Sequence, residues 1–138
     1  MPFYNVSEMA KSHAESIPLR EFQTLAGEMM KAGIVTYQKG HHGSTPHHHP
    51  NEEELAIILE GRLYFMIGDE ERIIGPGDIT HIPRNTWHGS ITLGEKVVKF
   101  VVKSPVGDGN VSQDVHVLED AEEILQGMQE RLNQIIPT

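Results

Sequence analysis

Turn-forming residues recur every eight to twelve residues through the middle of the chain, and this spacing constrains the fold more than any other feature. Glycine, proline or acidic clusters stand at Gly61, 68–71, 75–78, 83–86 and 94–95, with short apolar runs between them. Closely spaced short strands are typical of antiparallel sandwiches and barrels, whereas a parallel sheet needs a long crossover, usually a helix, between its strands. We therefore predict an all-β antiparallel fold.

The first part of this region predicts one strand and one hairpin. Residues 55–59 are an uncharged apolar run, which we expect to form a buried strand that ends at Gly61. Residues 63–67 and 72–74 are expected to pair as a hairpin about the Gly-Asp-Glu-Glu turn at 68–71.

The flanking segments predict further short strands. Residues 87–93 and 97–102 are expected to form a second hairpin about Gly94-Glu95. Residues 79–82 form a short strand in this interpretation. Residues 21–37 favour two strands broken near Gly27, although their periodicity is weak.

The two ends of the chain differ from the barrel region at 21–118. Residues 1–20 are expected to form an irregular arm, with one short helix around 7–16. In the C-terminal segment, 119–138, apolar residues follow Asp120 at helical spacing until Pro137 stops the run. This pattern predicts one amphipathic helix from Asp120 to Ile136, capped by Asp120 and packed on the barrel or on a partner subunit.

The charge balance excludes several classes of partner. Eleven Lys and Arg residues stand against 20 Asp and Glu residues, which gives a net charge of −9 at pH 7. Such a chain repels a phosphate backbone and an anionic bilayer, so we expect neither nucleic acid nor membrane as a partner. The chain has no cysteine, which excludes disulfides and iron–sulfur clusters. We expect a cytoplasmic protein.

Histidine is the residue type that points to chemistry. The chain has nine histidines, three of them consecutive at 47–49. In an extended segment the side chains of His47 and His49 leave the same face, while His48 leaves the other. His47 and His49 can therefore share a cation, and His48 is expected at the surface.

Two further ligands are predicted from neighbouring segments. Glu53 and Glu54 follow the Pro50-Asn51 turn, and by chain length either carboxylate can reach the same cation. His88 enters another strand after the turn at 83–86 and supplies a ligand from a second side. Three imidazoles and one carboxylate suit a divalent first-row transition metal rather than calcium. We expect one such ion per chain, whether iron, manganese, nickel, cobalt, copper or zinc.

The spacing of these residues resembles the first motif of the cupin family. Four residues separate His49 from Glu54, and six more separate Glu54 from Gly61, as in that motif after its His-x-His pair. The resemblance selects Glu54 over Glu53 as the carboxylate ligand. It also implies the family fold, a small antiparallel double-stranded β-helix, or jelly-roll barrel.

The second cupin motif has a counterpart at 77–92. Gly77, Pro83 and His88 stand at its spacing, with Asn85 in place of its later glycine and Thr92 in place of its asparagine. All four ligand positions implied by the family are therefore present. Cupins of this size include dioxygenases, isomerases, lyases and decarboxylases as well as binding proteins, so the resemblance specifies the fold more closely than the reaction.

The resemblance implies a metal-dependent enzyme acting on a small molecule, dioxygenase-like or a non-redox isomerase or lyase. Glu54 and His81 are the acid–base candidates, although the position of His81 in the strand at 79–82 favours a core or interface histidine. The ligand spacing is similar to that of small cupins that convert unsaturated uronates to open-chain keto acids. Those enzymes carry a carboxylate and an arginine on the late strand and typically a glutamine at the Glu54 position. This chain has Lys103 and Gly109 in that late region.

A non-catalytic module that holds a metal and a small ligand is the alternative function. In either case family relatives pair through sheet edges and N-terminal strands, so we expect a homodimer. Loop positions at His41 and His42 predict solvent-exposed histidines. Glu52 and Glu53 are expected to form a solvated acidic turn.

Overall fold

In the computed structural model, which describes residues 3–5, 12–13 and 19–136, about half of the described residues are strand. All strand pairs within these residues are antiparallel, which confirms the predicted fold class. The elements are β1 (Ser12–His13), β2 (Arg20–Ala26), β3 (Lys31–Tyr37), β4 (His47–His48), β5 (Glu53–Ile67), β6 (Glu70–Ile74), β7 (Ile79–Ile82), β8 (His88–Ser104), β9 (His116–Val117) and α1 (Ala121–Ile135).

Two long bent strands, β5 and β8, run through both layers of the curled sheet. Residues 53–58 of β5 pair with 99–104 of β8, and residues 62–67 pair with 88–93. The register shifts around Gly61, where φ is +83° and a Cβ would overlap the backbone of β8. Only glycine fits this bend without strain. β1, β2, β3 and β7 extend one layer, and β4, β6 and β9 extend the other.

The structure corrects two of the strand predictions. The second hairpin is wrong, because Gly94 lies inside the continuous strand β8, whose halves pair with β5 and not with each other. The strand expected at 55–59 does not end at Gly61, because β5 continues to Ile67. It is also buried on one face only, since Leu55 and Leu59 are 50% and 49% exposed. The hairpin of β5 and β6 and the two strands within 21–37 are confirmed.

The predicted ends of the chain are partly described. Most of the helix expected around 7–16 lies outside the described residues, and Ser12–His13 within it form strand β1 against β2. The C-terminal helix is confirmed as α1, although Asp120 makes no side-chain capping hydrogen bond. No helix of the described residues is long and apolar enough to cross a bilayer.

Alternation along β5 builds an apolar cluster on each side of the sheet. Leu63 and Phe65 point into the barrel, while Tyr64 and Met66 point outward beneath α1. Because α1 covers the outward pair, its apolar stripe packs on the barrel of its own chain. The helix contributes these buried residues: Ala121, Met128 and Leu132.

An ion pair fixes the position of α1 on the sheet. Arg131 of the helix donates through Nε to Glu71 Oε2 of β6 at 2.9 Å and also through Nη2 to Oε1. The Tyr64 hydroxyl donates to the same carboxylate. The hydrogen bonds from Arg131 lower the pKa of the Glu71 carboxyl, so it is a carboxylate at neutral pH.

Replacing Glu71 with glutamine tests this anchor. We expect Glu71→Gln to lower the free energy of unfolding at pH 7 by about 1 kcal/mol, a typical contribution from a well-oriented surface arginine–carboxylate pair. Because the folded-state pKa is lowered, the contribution is present above the unfolded-state pKa of about 4.3 and is lost as the pH falls through the folded-state value. Urea denaturation at neutral and acidic pH measures both effects.

The matched control for this anchor is Glu70→Gln at the exposed neighbouring position of β6. An equal loss of stability in the two variants, or a Glu71→Gln effect that does not shrink in acid, would contradict the assignment.

Candidate metal centre

A cavity of about 510 Å³ lies against the inner wall of the barrel. Its walls come from β2, β3, β4, β5 and β8, and from loops that precede β4 and β9. Inward-facing side chains of these strands therefore share one space. The volume is in the range of small-molecule sites.

Three histidines converge on this cavity. One ring nitrogen of each of His47, His49 and His88 lies within 4.8 Å of the others. His47 and His88 are cross-strand partners on β4 and β8, and their ring centroids are 4.2 Å apart. The His49 ring lies 4.8 Å from that of His47 and 5.1 Å from that of His88. The structure thus brings together the three histidines that the sequence singled out.

A backbone carbonyl orients each of these rings. His47 Nδ1 donates to the carbonyl oxygen of Thr45 at 2.6 Å, and His88 Nδ1 donates to that of Thr86 at 3.0 Å. His49 Nδ1 donates to the carbonyl oxygen of Asp114 at 2.9 Å. Because a carbonyl only accepts, Nδ1 carries the proton and Nε2 keeps its lone pair, as in metal-binding histidines.

The three rings are neutral at physiological pH. Burial lowers the pKa of His47 to about 3 and the pKa values of His49 and His88 to about 4. A neutral imidazole is the form that binds a metal, so no proton has to be displaced at pH 7.

Glu54 supplies a carboxylate in the same cavity. Its side chain is buried, and its Oε1 lies 3.8 Å from Lys103 Nζ. Burial alone would raise the pKa of Glu54, but Lys99 and Lys103 outweigh burial and lower it to about 2. The carboxylate is therefore ionised, and it lies beside the histidine group rather than within the 4.8 Å set. Neutral nitrogen donors beside an ionised oxygen donor fit a divalent transition metal.

Alternation on β5 sends Glu53 to the outer face, where it meets His81. His81 Nε2 lies 2.7 Å from Glu53 Oε2, and both side chains are more than half exposed. Neither residue lines the cavity described above. The structure thus places His81 on the outer face and not at the histidine cluster. The alternation of side chains along a strand did not by itself indicate which face of β7 points inward.

A buried ion-pair network, which the sequence did not indicate, lies beside His49 of the cluster. Lys31 is fully buried and pairs with Glu52, whose other oxygen lies 3.7 Å from Lys103 Nζ and 3.9 Å from His49 Nδ1. Glu52 is therefore not part of a solvated turn as expected. The network depends on the cross-strand partnership of Lys31 with Lys103, which no local pattern records.

The remaining histidines divide between cavity and surface. His41 is buried and stacks on Tyr37 with ring centroids 4.7 Å apart, so the expectation of an exposed His41 is wrong. His42 is exposed as expected. His48 points away from the cluster, and its Nδ1 lies 2.8 Å from Asn85 Oδ1.

Comparison with known proteins agrees with this architecture. Residues 33–103 match the Cupin_2 family, described as Cupin domain. The pectin degradation protein KdgF of Dickeya dadantii (strain 3937) is 31% identical over 86 residues, which cover 62% of this chain and 76% of that protein.

Solved structures share the fold at lower identity. KdgF from Halomonas sp. has a TM-score of 0.68 at 23% identity, covering 76% of this chain and 94% of that one. The polyketide cyclase RemF from Streptomyces resistomycificus has a TM-score of 0.68 at 20% identity, covering 91% and 93%. With its family match, barrel and histidine cluster, the chain belongs to the Cupin_2 family.

Proposed function

We propose that this chain binds one divalent transition metal through His47, His49, His88 and Glu54 and acts on a small oxygenated molecule. The observation that carries the proposal is the set of three neutral imidazoles, each fixed by a carbonyl, beside an ionised carboxylate in one cavity. When bound, the metal supplies Lewis-acid polarisation of a substrate oxygen. The described side chains then bind and orient the substrate, exclude water and hold the ligands in place.

We favour a non-redox isomerisation or ring opening of an unsaturated uronate as the reaction class. The ligand spacing resembles that of cupins with this activity, and the relative of 31% identity is a pectin degradation protein. Glu54 is the acid–base candidate that lies in the cavity, since His81 faces outward. Lys99 and Lys103 keep the Glu54 carboxylate in its ionised form.

A dioxygenase is the second candidate, and the identity of residue 54 favours it. The uronate-converting cupins typically carry glutamine there, whereas this chain carries an ionised glutamate. An ion held by these three histidines and this glutamate would keep positions free for a bidentate substrate or for O₂.

Metal analysis combined with a turnover assay separates these candidates. We expect about one transition metal per chain and loss of the alkene proton signal of 4,5-unsaturated galacturonate in NMR spectra, without O₂ uptake. Substrate-dependent O₂ uptake would instead establish the dioxygenase. Bound metal without turnover of uronates, diols or diketones would favour the binding module, and metal-free protein that cannot be loaded would contradict the site.

The ligand assignment predicts opposite outcomes for adjacent histidines. His49→Ala and His88→Ala should each abolish stoichiometric metal, because each removes a nitrogen donor from the cluster. His48→Ala is the matched control and should keep the native metal content, because its ring faces Asn85. Elemental analysis of the purified variants measures the effect, and equal loss of metal from all three variants would contradict the assignment.

We also propose a homodimer, and the outer face of β5, β7 and β8 is the surface that supports it. Ile79 is 68% exposed and Phe100 is 38% exposed, and both are cross-strand partners of Ile57. Leu55 and Leu59 extend the same face of β5. Contiguous exposed apolar side chains of this kind mark protein interfaces.

A charge placed on this face should separate the subunits. We expect the native chain to have twice its 15.4 kDa mass in light scattering at micromolar concentration, and Ile79→Glu to have the mass of one chain. Met29→Glu is the control, since Met29 is equally apolar and exposed but lies at the turn between β2 and β3. A native mass near 15.4 kDa would contradict the dimer.

A further inference from the structure

We propose that Lys99, together with Arg20 and the Tyr37 hydroxyl, forms an anion subsite that binds a carboxylate of the substrate inside the cavity. The inference rests on the proposed function in one respect, since it takes this cavity to hold the reacting molecule. The subsite itself consists of side chains of this chain and needs no metal to form.

Lys99 is a buried cation that makes no direct ion pair, although the Glu54 carboxylate of the same cavity acts on it at longer range. Its residue is 7% exposed, it lines the cavity, and it forms no ion pair or hydrogen bond with any described residue. Its Nζ lies 5.5 Å from the ring centroid of Tyr37 and 5.9 Å from that of Phe65. Aromatic faces offset part of the cost of burying an ammonium, but a buried charge is normally paired. An anion in the cavity would supply the missing partner.

The other buried lysines show that the lack of a partner is particular to Lys99. Lys31 pairs with Glu52, and Lys103 lies 3.7 Å from Glu52 and 3.8 Å from Glu54. The chain carries 20 acidic residues and a net charge of −9. Acidic side chains are thus abundant, yet among the described residues none lies within ion-pair distance of Lys99 Nζ, and Glu54 acts on it only at longer range.

Arg20 adds a second cation on the same wall. Arg20 and Tyr37 are cross-strand partners of β2 and β3, so their side chains share a face. Arg20 Nη2 donates to Ser112 Oγ at 3.0 Å, while its Nε is buried without a partner. The Tyr37 hydroxyl lies 2.6 Å from Ser44 Oγ. Burial alone would raise the pKa of Tyr37, but the positive charges of Lys99 and Arg20 outweigh burial and lower this pKa. Both cations therefore act on the phenol.

The subsite lies close to the histidine cluster. The Phe65 ring that faces the Lys99 ammonium also stacks with His88, with ring centroids 6.5 Å apart and planes at 12°. A small molecule bound at Lys99 therefore lies within reach of the three histidines. This arrangement suits a ligand with an anionic group at one end and a metal-binding oxygen near the other.

The donors present fit a carboxylate. The cavity wall carries three cationic side chains, Arg20, Lys99 and Lys103, against the single carboxylate of Glu54. A carboxylate offers two oxygens to the Lys99 ammonium and the remaining Arg20 donors. A phosphate group carries close to two negative charges, and the Glu54 carboxylate in the same cavity repels it more strongly than it repels the single charge of a carboxylate.

Calorimetric titration with D-galacturonate and with uncharged D-galactose tests the subsite. We expect metal-loaded native protein to bind galacturonate at least about tenfold more tightly than galactose, and Lys99→Met to remove most of that preference. Lys96→Met is the matched control, because Lys96 lies on the same strand with an exposed side chain paired to Glu60. Metal content and thermal unfolding are measured for every variant.

Arg20→Gln keeps the test decisive if Lys99→Met is unfolded or loses its metal, and it should weaken galacturonate binding several-fold. Equal affinity for the two sugars, or unchanged galacturonate binding in the folded variants, would overturn the subsite. Lysine-dependent galacturonate binding in a protein without metal or turnover would support the subsite and contradict the proposed function. The two failures are therefore distinguishable.

Discussion

The ladder between β5 and β8 is the interaction on which the rest of the structure depends. It places Glu54 opposite Lys103, Ile58 opposite Lys99 and Ile67 opposite His88, so one set of backbone hydrogen bonds positions a carboxylate, two cations and a histidine. Because side chains alternate, a slip of one residue would turn this set to the outer face. The bend at Gly61 then lets the same two strands serve both layers, which closes the cavity around these groups.

The orientation of the clustered histidine rings depends in addition on the backbone conformation of segments outside the two long strands. The carbonyls that orient its rings belong to Thr45, Thr86 and Asp114, in three separate segments. Asp114 has a φ of +59°, and its carboxylate accepts a hydrogen bond from the Asn51 backbone at 2.9 Å. The loop before β9 is thus tied to the chain just after His49, and the ring orientation follows from contacts across 65 positions of sequence.

Short sequence patterns predicted the features that depend on residues close together in the chain. Turn spacing gave the antiparallel class, the pattern after Asp120 gave α1, and the cupin-like spacing selected the three histidines that meet in space. The turn signal at Gly94 failed because pairing with β5 is stronger than a local tendency to reverse. The burial of Lys31, Glu52 and Lys99 depends on register between distant strands, which a single sequence does not encode in any local pattern.

The net negative charge of the whole chain and the positive charges inside the cavity act on an anion over different distances. The net charge of −9 repels an anion at a distance, yet salt screens such repulsion beyond about 8 Å at physiological ionic strength. Inside the cavity, a bound anion would meet Lys99 and Arg20 at contact distance and in a medium of lower polarity, where each interaction is stronger. A ligand that has entered is therefore governed by the few buried cations rather than by the many surface carboxylates. An acidic protein can in this way keep a cavity that selects acids.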